Sequence, residues 1–185
     1  MMVWEAACSM SLPVQLHLTA AANPLSGKLK QQQQFANRNP VRLNIINKPA
    51  NCFWTSSLDT RGGSAWAQFC YDSDFRRAAN QAWLIFPHRT ARVLKLAEKV
   101  FTDSFREKYT FCQQRYHLLD WEALAQDYDA VWLPRRYEIC PTDVEYYRDF
   151  YAWDVESTVW LRPRFYATYR GKFNFNVYER SDNDS

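Results

Sequence analysis

The run FYAWDVESTVWLRP (150–163) constrains the chain most, because it sets two acids among aromatic and β-branched residues. Such residues fit a pleated, half-buried surface, so 152–160 reads as a strand. Successive side chains of a strand alternate faces, which puts Asp154 and Glu156 on one face together with Thr158. Their carboxylates then stand roughly 6–7 Å apart. That arrangement suits general acid–base work or the stabilisation of a sugar cation, and repulsion raises one pKa unless a cation or hydroxyl compensates. The same spacing also suits a solvated strand face with Val155, Ser157 and Val159 turned inward.

Other segments supply possible neighbours. VQLHLT (14–19) alternates as a short strand with Gln15, His17 and Thr19 on one face, and VRLNII (41–46) reads as a strand or an extended arm. CFWTSS (52–57) is a strand that ends in Thr55, Ser56 and Ser57 beside Trp54. Hydroxyls next to an indole suit a ribose or amide held against a ring, and equally a Ser/Thr turn at a strand end. Ser64 caps a helix whose Trp66, Phe69 and Cys70 form an apolar stripe.

QAWLIFPH (81–88) and ARVLKLA (91–97) read as strands joined by a turn at Pro87, and EKVFTDSFREKYTFC (98–112) as helical. Asp120 caps a helix that leads into a buried strand, AVWLP, and RFYATYRGKFNFNVYER (164–180) reads as a terminal hairpin. Helices among short, antiparallel-style strands indicate an α+β class. The expected organisation is an N-terminal tail over 1–13, one domain over 14–180, and a disordered tail over 181–185.

Several chemistries are disfavoured. Only 4 Gly are present, and neither the dinucleotide-binding nor the P-loop glycine pattern occurs. Five Cys without a C-x-x-C pair, and 3 His, argue against a structural zinc site and a secreted disulfide framework, so no metal is expected and a cytoplasmic location is. Cys70 and Cys112 read as core residues of helical faces, and no nucleophile constellation is visible. The N-terminus lacks a basic region and no run is long enough to span a membrane. A net charge of +3 with paired arginines is compatible with nucleic acid without demanding it. The 17% aromatic content fills a core or builds stacking platforms, for instance Trp54, Trp153 and Trp160 beside Arg162, Arg164 and Arg170.

Taken in order, NKPANCFWTSS, SAWAQFC, LDWEALAQDYDAVWLP and FYAWDVESTVWL resemble a family of small phage and bacterial proteins with the ADP-ribosyltransferase fold, over residues 47–161. The resemblance implies mostly antiparallel mixed sheets packed around an NAD cleft with flanking helices. It implies NAD-dependent transfer of ADP-ribose to a macromolecular acceptor, nucleic acid or protein. A toxin or phage–host conflict effector, with an antitoxin or immunity partner, fits that activity.

In the arginine–serine–glutamate type of these transferases, a strand ends in a Ser-Thr-Ser-like element that supports NAD, and Thr55-Ser56-Ser57 stands there beside Trp54. A later strand carries an E/Q-x-E-like pair, where Asp154 and Glu156 stand. By the resemblance Glu156 holds the nicotinamide-ribose hydroxyl and stabilises the oxocarbenium ion, while Asp154 orients or deprotonates the acceptor. His17 is the candidate for the family's Arg or His on the first core strand, with Arg42 the runner-up. An Asp at the first position of the pair departs from the family pattern and leaves the acceptor open.

Strands 52–57 and 152–160 should accordingly be adjacent, and Glu156→Gln should leave folding little altered. Two further readings stay open: a non-catalytic binder of nucleotides or single-stranded nucleic acid, and an NAD glycohydrolase that sends water to the ribose.

Overall fold

A computed structural model describes residues 12–20, 47–49, 52–73, 75–96, 102–113, 116–134, 150, 153 and 155–179. The strands are β1 (Gln15–Thr19), β2 (Phe53–Ser57), β3 (Gln81–Pro87), β4 (Val93–Lys95), β5 (Thr110–Gln113), β6 (Tyr116–Leu119), β7 (Ala130–Leu133), β8 (Ser157–Trp160) and β9 (Phe165–Lys172). The helices are α1 (Ala65–Asp72), α2 (Asp103–Tyr109) and α3 (Trp121–Asp127). Seven strands join in the order β4-β7-β8-β2-β1-β3-β9, and β5 and β6 form a separate antiparallel pair. The β4–β7 pairing is parallel and the other pairings are antiparallel, so the α+β reading holds for the described residues.

Local chemistry explains where the helices start. Ser64, Thr102 and Asp120 sit in extended backbone, and each side chain accepts a first-turn amide that has no partner inside its helix. Asp120 accepts two, from Glu122 and Ala123. Helices of seven or eight residues are too short to persist alone, so their stability comes from packing. Trp121 and Leu124 of α3 and Phe105 and Tyr109 of α2 join Val131, Val159 and Trp153 in one core cluster. On the other side of the sheet, Leu12, Phe53, Ile85, Ala130 and Trp160 form a second. Leu12 lies inside the segment read as a tail, and its burial there carries the packed chain back to at least residue 12.

Tertiary pairing overrides several local readings. The strands read at 81–88 and 91–97 are present as β3 and β4, yet they go to different partners: β3 lies between β1 and β9, and β4 joins β7. The helix expected over 98–112 is confined, among the described residues, to Asp103–Tyr109, after which β5 begins, so Cys112 is on a strand. His117, read as near a helix start, is on β6. The terminal hairpin is a single strand, β9, followed by a short 3₁₀ turn at Phe175–Val177. The buried face of α1 is Ala67 and Cys70 rather than the Trp66 side. The strand expected over 152–160 is described only from Ser157. Residues 41–46, Arg42 among them, Asp154 and 181–185 lie outside the described residues.

One irregularity positions everything that follows. β1 pairs with β3 over five positions but meets β2 at only two, Gln15 with Ser57 and Leu16 with Ser56. Beyond Leu16 the two strands part, while β2 continues beside β8 from Phe53 to Thr55. The sheet therefore opens between its two halves at His17 and Trp54.

Candidate functional site

Where β1 and β2 separate, His17 bridges them. Its Nδ1 lies 2.8 Å from the Trp54 carbonyl oxygen, which can only accept, so Nδ1 carries the proton. The ring packs against Phe53 with centroids 4.4 Å apart. A cavity of about 310 Å³ opens at this split, walled by Trp54, Trp66, Trp153 and His17, with Lys48 and Ser157 among its polar lining. Trp54 and Trp153 meet edge to face at 4.9 Å. An aromatic hollow of this size, at the low end for small-molecule sites, accommodates a planar ring and an attached sugar.

Beside the cavity stands a buried carboxylate. Glu156 is 5% exposed, and it falls between Val155 and Ser157, both of which line the cavity, while its own side chain turns away. Ser56 Oγ donates to its Oε2 at 2.7 Å and the Ser57 backbone N–H donates to the same oxygen at 2.9 Å. Ser57 Oγ and Trp132 Nε1 donate to Oε1 at 2.8 and 2.7 Å. Four donors on two oxygens fix the group in position and orientation.

These donors are themselves oriented by a directional chain. Trp160 Nε1 donates to Thr55 Oγ1 (3.0 Å), which donates to Gln15 Oε1 (3.2 Å); Gln15 Nε2 donates to Ser57 Oγ (2.9 Å), which donates to Glu156. Each member polarises the next toward the carboxylate. Ser56 Oγ also receives the Trp66 amide at 3.3 Å, which ties the start of α1 to the same knot. Every donor is neutral, and among the described residues no Lys or Arg pairs with Glu156. Its negative charge is held by dipoles rather than cancelled.

The structure thus brings together His17, Trp54, Thr55, Ser56, Ser57 and Glu156, drawn from β1, β2 and the start of β8. It revises their division of labour. Thr55, Ser56 and Ser57 direct their hydroxyls at Gln15 and Glu156, and of the three Thr55 also borders the cavity. Glu156 is also no rim residue, so Glu156→Gln is no longer neutral for folding: an amide N–H₂ would face donors where the carboxylate accepts. Thr158, read as sharing the acid face, is fully buried with its hydroxyl unpartnered.

Gln15 and Trp132 were not singled out from the sequence. Gln15 was legible only as a polar residue sharing the His17 face; Trp132 was hidden in a buried-looking strand until its pairing with Thr158 placed it beside the acid. Trp153 and Trp160 are buried and donate to Asn47 and Thr55, which removes them as exposed base-stacking platforms.

Burial pushes the Cys52 thiol up to about 12 and that of Cys70 up to about 11, so neither is a thiolate at neutral pH. Among the described residues no group of three His, Cys, Asp or Glu could hold a metal ion, and no helix is long and apolar enough to cross a membrane. No protein-family model, curated protein or solved structure matches the chain.

Proposed function

We propose that the chain is an NAD-dependent ADP-ribosyltransferase whose NAD site is the β1–β2–β8 junction. The observation that carries the reading is the Glu156 carboxylate, buried, without a cationic partner among the described residues, and oriented by Ser56, Ser57 and Trp132 beside an aromatic cavity. The nicotinamide ring would lie among Trp54, Trp66 and Trp153. Lys48 brings positive charge to the same wall, suited to the pyrophosphate.

In the reaction, the bond from the ribose C1′ to the nicotinamide nitrogen breaks and its electron pair leaves with nicotinamide. The sugar becomes cationic, and an acceptor nucleophile attacks C1′ and gives up its proton. A fixed anion in a water-poor setting favours that cation because its stabilising dipoles need no reorganisation as charge develops. Asp154 keeps the role the resemblance gives it, orienting the acceptor or taking its proton.

One observation favours a second reading. Four donors already occupy both oxygens of Glu156, as expected of a carboxylate that serves the fold. On that reading the cavity binds a planar nucleotide moiety without chemistry. The two separate on labelled NAD incubated with purified protein and protein, DNA, RNA or no acceptor, with nicotinamide release and label transfer followed together. Release with transfer supports the transferase, and release to water alone supports a glycohydrolase. Saturable quenching of tryptophan fluorescence by NAD, with no release under any condition, supports the binder and removes the transferase.

A further inference from the structure

We propose that the edge of the sheet built from β9, the end of β3 and the 88–92 loop binds single-stranded nucleic acid. The segments that build it, 81–92 and 161–172, carry six Lys or Arg and no Asp or Glu, in a chain whose net charge is only +3. Folding gathers them: β3 pairs with β9 along its whole length, Phe86 opposite Tyr166, and the His88 amide donates to the Arg164 carbonyl at 2.9 Å.

Two features make this more than a solvated face. The first is a basic cluster with a buried organiser. Asp129 is 3% exposed, and its carboxylate meets three arginines: Arg162 Nε at 2.9 Å, Arg92 Nε at 3.9 Å and Arg164 Nε at 4.0 Å. One acid cannot neutralise three guanidiniums. The Arg162 contact is one of charge only, since its N–H is not aimed at the oxygen. Arg92 and Arg162 also donate to carbonyls at the end of α3, which fixes their planes, while Arg164 remains 61% exposed. Guanidiniums held in place with excess charge match phosphate oxygens in geometry and sign.

The second is a set of exposed rings beside them. Tyr166 is 66% exposed and Phe86 38%, a cross-strand pair, and His88 packs on Tyr166 with centroids 5.9 Å apart. Most large aromatics among the described residues are buried or partly buried, whereas Phe86 and Tyr166, like Phe75 and Tyr169, are exposed. Aromatic faces set along a cationic track are what unpaired bases stack on, and a duplex, its bases already stacked, cannot use them. Arg170 and Lys172 continue the charge along β9, whose last position lies roughly 23 Å from its first at strand spacing. This surface is argued from charge and exposure and does not rest on the NAD reading.

The test is fluorescence anisotropy of labelled oligo-dT and oligo-rU, with a duplex as control, titrated with the full chain without NAD between about 50 and 200 mM salt. Single strands should bind, bind better than the duplex, and weaken steeply with salt. Tyr166→Leu keeps the apolar cover of Phe86 but removes the ring, and should weaken binding roughly tenfold. Arg164→Ala should lower the salt slope by about 0.7, a readout that a structural role would leave unmoved. Both variants should unfold at the parental temperature, and Tyr166→Leu should release nicotinamide at the parental rate if the chain cleaves NAD. No saturable binding at low salt, equal preference for the duplex, or parental binding and slope in both variants would overturn the proposal. So would self-association through β9, lost in Tyr166→Leu, without oligonucleotide binding.

Discussion

Glu156 and Asp129 are the two buried acids among the described residues, 5% and 3% exposed, and the protein holds them in opposite ways. Asp129 sits among Arg92, Arg162 and Arg164 and accepts the Arg92 amide at 2.9 Å. Among the described residues, Glu156 meets only hydroxyls, an indole and an amide. Both solve the cost of taking a charge out of water, but with different consequences. Arginines cancel the field of Asp129 and leave a positive surface. Dipoles stabilise Glu156 without cancelling it, so its field remains to act on a cation nearby. A buried carboxylate with cationic partners is an anchor, whereas one with neutral partners can serve chemistry.

The largest expected effect tests that distinction directly. If the chain cleaves NAD as proposed, nicotinamide release in Glu156→Gln should fall by about 10²–10³, as when one preorganised stabilising group is lost. Stability should drop as well, by about 1–3 kcal/mol in urea unfolding, because donors are left facing donors. Release near the parental level in the folded variant would make Glu156 an anchor like Asp129 and erase the contrast.

Asp129→Asn should show the reverse pattern. Loss of one member of a buried ionic cluster should cost about 3 kcal/mol, since partly exposed arginines regain water. Nicotinamide release per folded molecule should be parental, and a fall comparable to that in Glu156→Gln would merge the two regions into one functional unit.

Trp132→Phe isolates a single donor. It removes the indole N–H from Oε1 while keeping an aromatic ring over which Lys95 sits at 4.8 Å. Because the donor serves a charged acceptor and the ring is half-buried, about 1–2 kcal/mol is expected. If the chain turns over NAD as proposed, the KM should move less than kcat where Trp132 acts by orienting Glu156, and equal movement of both would assign it to binding.

The smallest effect is expected at a carboxylate that is not buried. Asp127 accepts Tyr109 Oη at 2.7 Å and pairs with Lys108 at 2.9 Å, on the surface. The Tyr109 hydroxyl, then Lys108, hold its pKa below the usual value. A depressed folded pKa means that its stabilisation is present above the unfolded value and is lost as pH falls through the folded one. Tyr109→Phe should therefore cost under about 1 kcal/mol at pH 7 and flatten the acid limb of the stability profile below about pH 4. An unchanged acid limb would show that solvent already screens this group.

The parts of the fold that were legible share a physical feature: their information is local. Ser64 and Asp120 announced helices because a cap bonds within its own first turn, and QLHLT and FWTSS announced strands because alternation is a property of neighbours. The misreadings share the opposite feature. That the helix read over 98–112 gives way to β5 at Thr110, and that RFYATYRGKFNFNVYER is one strand and not two, depends on partners outside each segment, β6 for the one and β3 for the other.

For the site, the sequence determined the chemical types: a hydroxyl-ended strand with an indole, an acid in an aromatic run, and a histidine on a short alternating strand. Tertiary structure alone decided that Ser56 and Ser57 point at Glu156, that Gln15 and Trp132 complete its shell, and that the cavity opens where β1 leaves β2. Ser57 and Glu156 are 99 positions apart, and no local rule links them. Only the sheet order β7-β8-β2-β1 makes them neighbours, because hydrogen-bond geometry and burial are properties of position in space.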